Sequence, residues 1–237
     1  MKRGQIIKTS VAGVVLAVVA AALFHANTKP NLGAGPTLNG KTVTEWIDSI
    51  QEANFEDSAI TNLIAIGEPA VPYLVRAVEW QPSGLDRLGP VAWKHAGWVA
   101  QRLHLPYAEE TRARFISKRG AMQVLRKLGP VAKDALPALR TVGRDPDWSS
   151  RAFGLSAIAN IGPEPNDIPM LIEALTHTNW IVRKEGARGL GNLGFPSKEA
   201  ISALRNALHD EDEGVRKFVS EVLIKIDPKA TEKAGAK

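Results

Sequence analysis

Cysteine is absent from the 237-residue chain, and histidine occurs only five times. The lack of cysteine excludes disulfides, thiolate nucleophiles and cysteine-based zinc sites. The histidines show no HExxH spacing or other spacing typical of a metal-binding helix. We therefore expect neither a metal ion nor another cofactor.

Catalytic motifs are also lacking. The chain has no GxSxG nucleophile motif, no phosphate-binding P-loop, and no GxGxxG motif that follows a strand. Without these motifs or a Ser/His/Asp arrangement, we expect that the protein is not an enzyme.

A large excess of one charge is missing from most of the chain. The net charge is +5, but residues 1–30 contribute four basic side chains and no acidic one. Residues 31–237 therefore hold 26 basic and 25 acidic side chains. Such a balanced body attracts phosphate only weakly over distance, which argues against nucleic-acid binding.

The N-terminal segment 1–26 has the layout of a targeting sequence. Basic residues at 1–8 precede an uninterrupted apolar and small-residue run over 11–24. The segment is interpreted either as an uncleaved membrane anchor over about 9–26 or as a cleaved secretory signal. In both cases we expect the remainder of the chain, the body, to lie outside the cytoplasm. A linker over 27–40, a repeat domain over 41–227 and a disordered tail over 228–237 complete the predicted organisation.

The body repeats at steps of 32 and 33 residues. An apolar residue followed by glycine recurs, with glycine at 67, 129, 162 and 194. A second pattern, typified by Ile168-Pro169-Met170-Leu171, recurs at 71, 136 and 201, with a degenerate copy over 105–108. Proline is tolerated in the first helical turn, and glycine suits a left-handed helix C-cap.

Each repeat is predicted to contain two amphipathic helices, because apolar residues recur at i, i+3, i+4 and i+7. Thr42 and Glu45 predict a capping box at the first helix. The fold class is therefore all-α, a right-handed α-α superhelix (solenoid) of about six helix pairs. The predicted pairs are 42–53/57–66, 69–80/90–104, 106–117/118–129, 131–143/147–161, 166–177/180–193 and 198–209/213–226.

Leu208–Arg216, an acidic turn followed by Val215-Arg216 and an apolar helix, resembles the HEAT-like repeat signature. The segments over 175–183 and 145–151 resemble it too, although Ser150 replaces the valine. The short repeat is similar to that of bilin-lyase-like proteins, and Leu38–Trp46 resembles the opening of exported bacterial HEAT-repeat proteins. The resemblance implies a superhelical scaffold whose usual role is binding.

Several residues recur at the repeat spacing and are candidates for structure or for binding. Two polar series occupy equivalent positions: the arginine ladder (Arg151, Arg183 and Arg216) and the turn ladder (Asp147, Asn179 and Asp212). They could present an anion-binding stripe, but we favour hydrogen bonds between neighbouring turns that set the repeat register. Trp148 and Trp180 are equivalent, and they either pack at the turn or form an aromatic binding strip.

The region over 102–140 is locally basic, with nine basic and three acidic residues. Arg112, Arg114 and Arg119 are its candidates for contact with an acidic partner, an anionic lipid or a glycan, although we favour a solvated face. Trp98, in an irregular repeat, is expected to fill the core.

The leading prediction is a non-enzymatic protein-interaction scaffold with an unidentified protein partner and a membrane attachment through its N-terminal helix. One alternative is a lyase or chromophore-handling enzyme, which would require a deep pocket lined by convergent polar groups. Another is a nucleic-acid-binding HEAT-like protein, which export and the balanced charge argue against.

Overall fold

The computed structural model describes residues 32–33, 35–50, 58–81, 98, 101–102, 108–195 and 197–227. The chain divides into two units. The first comprises Met1–Gly33 and Gln81–Ala113, and the second comprises Ala34–Trp80 and Arg114–Lys237. In the first unit, residues 98, 101–102 and 108–113 are helical. The predicted targeting segment 1–26 and the predicted tail 228–237 lie outside the described residues.

The described elements are almost entirely helical, which confirms the all-α solenoid. Two strands, β1 (Thr37–Leu38) and β2 (Lys41–Thr42), form one short antiparallel hairpin. The α-helices are, in chain order, α1 (Val43–Asp48), α2 (Ser58–Ile66), α3 (Val71–Val78), α4 (Ala108–Leu128), α5 (Leu136–Val142), α6 (Trp148–Ile161), α7 (Ile168–Ala174), α8 (Trp180–Gly191), α9 (Lys198–Ala207) and α10 (Glu213–Ile226).

The hairpin is attached to the first helix of the second unit. The indole Nε1 of Trp46 donates to the backbone oxygen of Leu38 at 2.9 Å. The predicted capping box is confirmed: Thr42 accepts from the Glu45 backbone N–H, and the Glu45 carboxylate accepts from the Thr42 N–H. The hairpin begins at Thr37, within the segment assigned to the linker over 27–40.

The first helix of a repeat begins as the proline pattern predicts. Helices α3, α5 and α7 each have one proline in the first turn, where the N–H that proline lacks would have no helical partner. These are Pro72, Pro137 and Pro169, respectively. A short 3-10 turn precedes each of these helices. The glycines at 67, 129, 162 and 194 all have positive φ, between 59° and 113°. The first three directly follow the last residue of a helix, as predicted, but α8 ends at Gly191 with Asn192 as its C-cap, so the prediction that Gly194 ends this helix is wrong.

The core of the second unit lies between the two helices of each pair and between neighbouring pairs. Leu139, Ile158, Leu171 and Leu223 are fully buried there. Helices α7 and α8 approach so closely that a Cβ atom on Gly186 would lie 2.9 Å from the backbone oxygen of Leu171. The small residue therefore sets the distance between these helices.

The third predicted pair, 106–117/118–129, is wrong. The structure has one continuous helix there, α4, which runs from Ala108 to Leu128. No proline lies between Pro106 and Pro130, and most of the intervening residues are good helix formers, so nothing ends the helix near 117. Gly120 in its interior faces Ile50, whose side chain lies 2.6 Å from where a Cβ would be.

Among the residues that the structure describes, no helix has the length and apolar character needed to cross a membrane. The apolar run on which we predicted an anchor lies outside those residues.

Candidate interaction surfaces

The turn ladder consists of helix N-caps. Asp147 accepts from the Ser150 N–H at 2.9 Å, Asn179 from Ile181 at 2.9 Å, and Asp212 from Val215 at 3.0 Å. Burial alone would raise the pKa of Asp147, but hydrogen bonds from Ser150 and the nearby Arg119 charge outweigh it and lower that pKa. Each residue satisfies one of the free N–H groups at the start of α6, α8 or α10.

The arginine ladder extends from these turns, and its members make different contacts. Arg151 donates through Nη2 to Glu173 of the next repeat at 2.7 Å. Arg216, in the last described repeat, donates through Nη1 to the backbone oxygens of Asp210 and Glu211.

Arg183 makes the most extensive contacts of the ladder. Its Nη1 donates to the backbone oxygens of His177 and Thr178, at 2.9 and 3.0 Å. Its Nε and Nη2 form a two-pronged bond with the carboxylate of Asp210 in the following turn, at 2.8 and 2.9 Å. Both side chains are only 6% exposed, and the bond to Asp210 raises the pKa of the guanidinium. One side chain therefore joins the inter-helix turns of two consecutive repeats.

A second ion cluster between repeats was not predicted. Arg140 on α5 donates to Asp167 at 2.7 Å and to Glu164 at 2.6 Å, and Asp167 is buried. Hydrogen bonds from Arg140 and Lys133 lower the pKa of Glu164. The sequence offered only the local excess of basic residues, because the two acids belong to the next repeat.

Trp148 and Trp180 are the first residues of α6 and α8, each directly after an N-cap residue. They are 43% and 45% exposed, so that each indole is partly packed and partly open to solvent. The equivalent position in the last described repeat is Glu213. The repeat therefore holds two large aromatic side chains at corresponding places on consecutive turns.

The basic region does not form a single surface. Lys118 is 2% exposed, and its Nζ donates to the Trp80 backbone oxygen at 3.2 Å and lies 4.0 Å from Asp145. Lys118 and the paired Arg140 therefore do not belong to a solvated basic face. Arg119 is half-buried, and Arg114 is exposed, with its guanidinium carbon 5.9 Å from the centroid of the Trp80 ring.

Two of the predicted residues lie in the first unit. Arg112 is exposed, as expected for a partner-contacting or a solvated residue. Trp98 is 75% exposed, which contradicts its predicted place in the core.

One cleft, of about 580 Å³, lies at the C-terminal ends of α6, α8 and α10. Its polar side chains form a third series at the repeat spacing: Asn160, Asn192 and Lys225. Asn192 donates to the Ala159 backbone oxygen at 3.0 Å and accepts from Lys225 at 3.2 Å, while Asn160 donates to Ser156. These groups are bonded within the protein rather than converging on a ligand. The Asn-apolar-Gly pattern at 160 and 192 is the sequence signal that marks this series.

A second cleft, of about 460 Å³, lies between α1, α3 and α4 in the second unit. Aromatic, basic and hydroxyl side chains contribute to it. Its lining consists of Thr44, Ile47, Asp48, Tyr73, Arg76, Ala77, Trp80, Arg114 and Ser117.

Comparison with known families matches residues 168–235 to HEAT repeats. This match covers α7 to α10 and supports a HEAT-like repeat family. Two crystal structures of engineered proteins from the Northeast Structural Genomics Consortium are similar to the chain, both at 18% identity and over 78% of its length. One match covers 78% of the engineered chain with a TM-score of 0.41, and the other covers 98% with a TM-score of 0.40. No curated protein matches the chain.

Proposed function

We propose that the protein is a non-enzymatic scaffold that binds a protein partner through the exposed edge of its stacked repeats. The observation that carries this proposal is the aromatic pair, Trp148 and Trp180, on consecutive turns. Tryptophan is enriched among the residues that contribute most to protein interfaces, because it offers a large rigid surface at a small entropy cost. Both tryptophans are close to 45% exposed, so part of their apolar surface is in contact with water. Burial of that surface against a partner would contribute favourably to the free energy of binding.

The turn around each tryptophan is held in place before any partner arrives. Asp147 and Asn179 cap the helices that the two indoles begin, and Arg183 ties its turn to the next one. A preorganised surface loses little conformational entropy on binding. The two indoles therefore suit a fixed recognition strip.

We also propose that the body acts outside the cytoplasmic membrane, and that residues 9–26 attach it there. The support is the basic, apolar and then polar order of the N-terminal sequence. Amino-terminal sequencing of the mature protein tests the mode of attachment: an intact N-terminus supports the anchor, and a start after residue 26 supports a cleaved signal.

The scaffold proposal is tested by affinity capture of the full chain from the membrane fraction of its native cell, followed by mass spectrometry. Wild-type protein should retain a specific protein that the W148A/W180A variant loses. I224A is the matched control, since Ile224 is 52% exposed on α10 and lies outside the strip. Equal recovery by all three proteins, or no specific partner for the wild type, would refute the proposal.

A further inference from the structure

The second cleft, between α1, α3 and α4, combines two cationic side chains with aromatic walls. Arg76 on α3 and Arg114 on α4 are both exposed and line the same space. Among the described lining residues, Asp48 is the one carboxylate, so two guanidinium groups stand against a single acid there. Its volume of about 460 Å³ is within the range of ligand-binding pockets.

Arg114 is placed to receive an anion. Its guanidinium lies over the Trp80 ring, with 5.9 Å between the guanidinium carbon and the ring centroid. This separation is near the limit of a cation–π contact, so the ring keeps the guanidinium beside the aromatic wall and leaves its N–H groups available for a carboxylate.

The aromatic wall is held by contacts on several sides. The Trp80 ring makes an edge-to-face contact with Phe115, at 5.1 Å between centroids and 89° between planes. Its backbone oxygen accepts from the buried Lys118 at 3.2 Å. The Tyr73 ring packs against the backbone at Gly35, where a Cβ would lie 2.8 Å from the ring. Little reorganisation is therefore needed before a ligand enters.

The remaining lining determines what the anion is attached to. Ile47 and Ala77 are apolar, and Thr44 and Ser117 bring hydroxyl groups. A small hydrated ion would leave the aromatic and aliphatic surface uncovered. A carboxylate beside an aromatic side chain would meet the guanidinium groups and the apolar wall together.

We propose that this cleft binds an acidic peptide segment of a protein partner, in which a glutamate or aspartate stands next to an aromatic residue. Arg76 and Arg114 bind the carboxylate, and Trp80 and Tyr73 contact the neighbouring ring. The inference rests on the proposed scaffold function and identifies the chemistry of one partner segment.

The probe is acetyl-Gly-Glu-Phe-Glu-Gly-amide, titrated into the full chain and followed by saturation-transfer NMR. The matched probe replaces both glutamates by glutamine. The acidic peptide should bind saturably and at least about tenfold more tightly than the neutral one, the effect of losing one charge-assisted hydrogen bond. R114Q and R76Q should each weaken the acidic peptide about tenfold and leave the neutral peptide unchanged.

R205Q is the control variant, because Arg205 is an exposed arginine on α9 outside the cleft, and its ion pair within the described part of the chain is with the partly exposed Asp227. It should bind like the wild type, and circular dichroism should show all variants folded. Absence of saturable binding, equal affinity for both peptides, or equal loss in R205Q would overturn the proposal. Phenylacetate binding as tightly as the peptide would overturn the peptide as occupant. If the acidic peptide does not bind but wild type and R114Q capture the same partner equally, this site is overturned and the scaffold function is retained.

Discussion

Replacement of Arg183 by alanine should destabilise the protein more than any other change in the arginine ladder. The substitution removes the two-pronged bond to Asp210 and the bonds to two backbone oxygens, all between 2.8 and 3.0 Å. It also leaves the Asp210 carboxylate, which is only 6% exposed, without its main cationic partner. Loss of one member of a buried ion pair costs about 3–5 kcal/mol of unfolding free energy.

Arg216 provides the matched comparison. It occupies the equivalent position in the last described repeat but is half-buried, and it donates to two backbone oxygens without a carboxylate in the following turn. R216A should therefore cost about 1–2 kcal/mol. The assay is urea unfolding of the full chain, with the free energies of unfolding compared at equal slope.

A double variant separates the ion pair from simple loss of packing. R183A/D210A removes the uncompensated carboxylate, so it should recover part of the stability that R183A loses. A cost of R183A no greater than that of R216A would refute the view that Arg183 joins the turns. Full additivity in the double variant would refute it independently.

Three further changes test the N-cap, the helix spacing and the buried lysine. D147A should cost about 1 kcal/mol. Because the pKa of Asp147 is lowered, this difference from wild type should be present above about pH 4 and disappear as the pH falls, whereas D147N should cap without that dependence. G186A should cost about 1–3 kcal/mol in thermal unfolding, since its Cβ would lie 2.9 Å from a backbone oxygen; an unchanged midpoint would contradict the close packing. Burial lowers the pKa of Lys118 below its ordinary value of 10.5, so between that lowered pKa and about pH 10.5 the unfolded chain binds more protons and wild-type stability should rise with pH across that interval; K118M should lose that rise, and its persistence would exclude Lys118 as the cause.

The local signals of each repeat were readable from the sequence because they act within a few residues. Proline in the first turn, glycine at the end of a helix and the Thr42–Glu45 capping box all depend on local backbone geometry, and the structure confirms them except at Gly194, which lies beyond the C-cap of α8. The repeat spacing then placed equivalent residues correctly, since one repeat is one structural unit.

Contacts between repeats were harder to predict. Arg140 reaches Asp167 across 27 residues, and nothing local marks the two as partners. Lys118 lies in the basic region over 102–140, and a solvated position is the natural expectation there because charged residues are rarely buried, but tertiary packing places its Nζ against the Trp80 backbone oxygen. The third predicted pair was wrong because the repeat spacing indicated a break near 117, whereas the residues there favour a helix. As a result, α4 continues without interruption to Leu128.

The second cleft also depends on tertiary structure. Its three helices are separated along the chain, so Arg76 and Arg114 had no pattern that linked them. The sequence singled out Arg114 by local charge alone, and the structure adds the tryptophan on which its guanidinium lies.

Site-specific photocrosslinking tests the scaffold account most directly. A photoreactive phenylalanine analogue is placed at position 148, 180 or 224 of the full chain in its native cell, and crosslinked products are identified by mass spectrometry. The account predicts one common protein crosslinked from 148 and 180 and absent from 224. Crosslinks that are equally frequent from all three positions, or different proteins from 148 and 180, would contradict a shared binding strip.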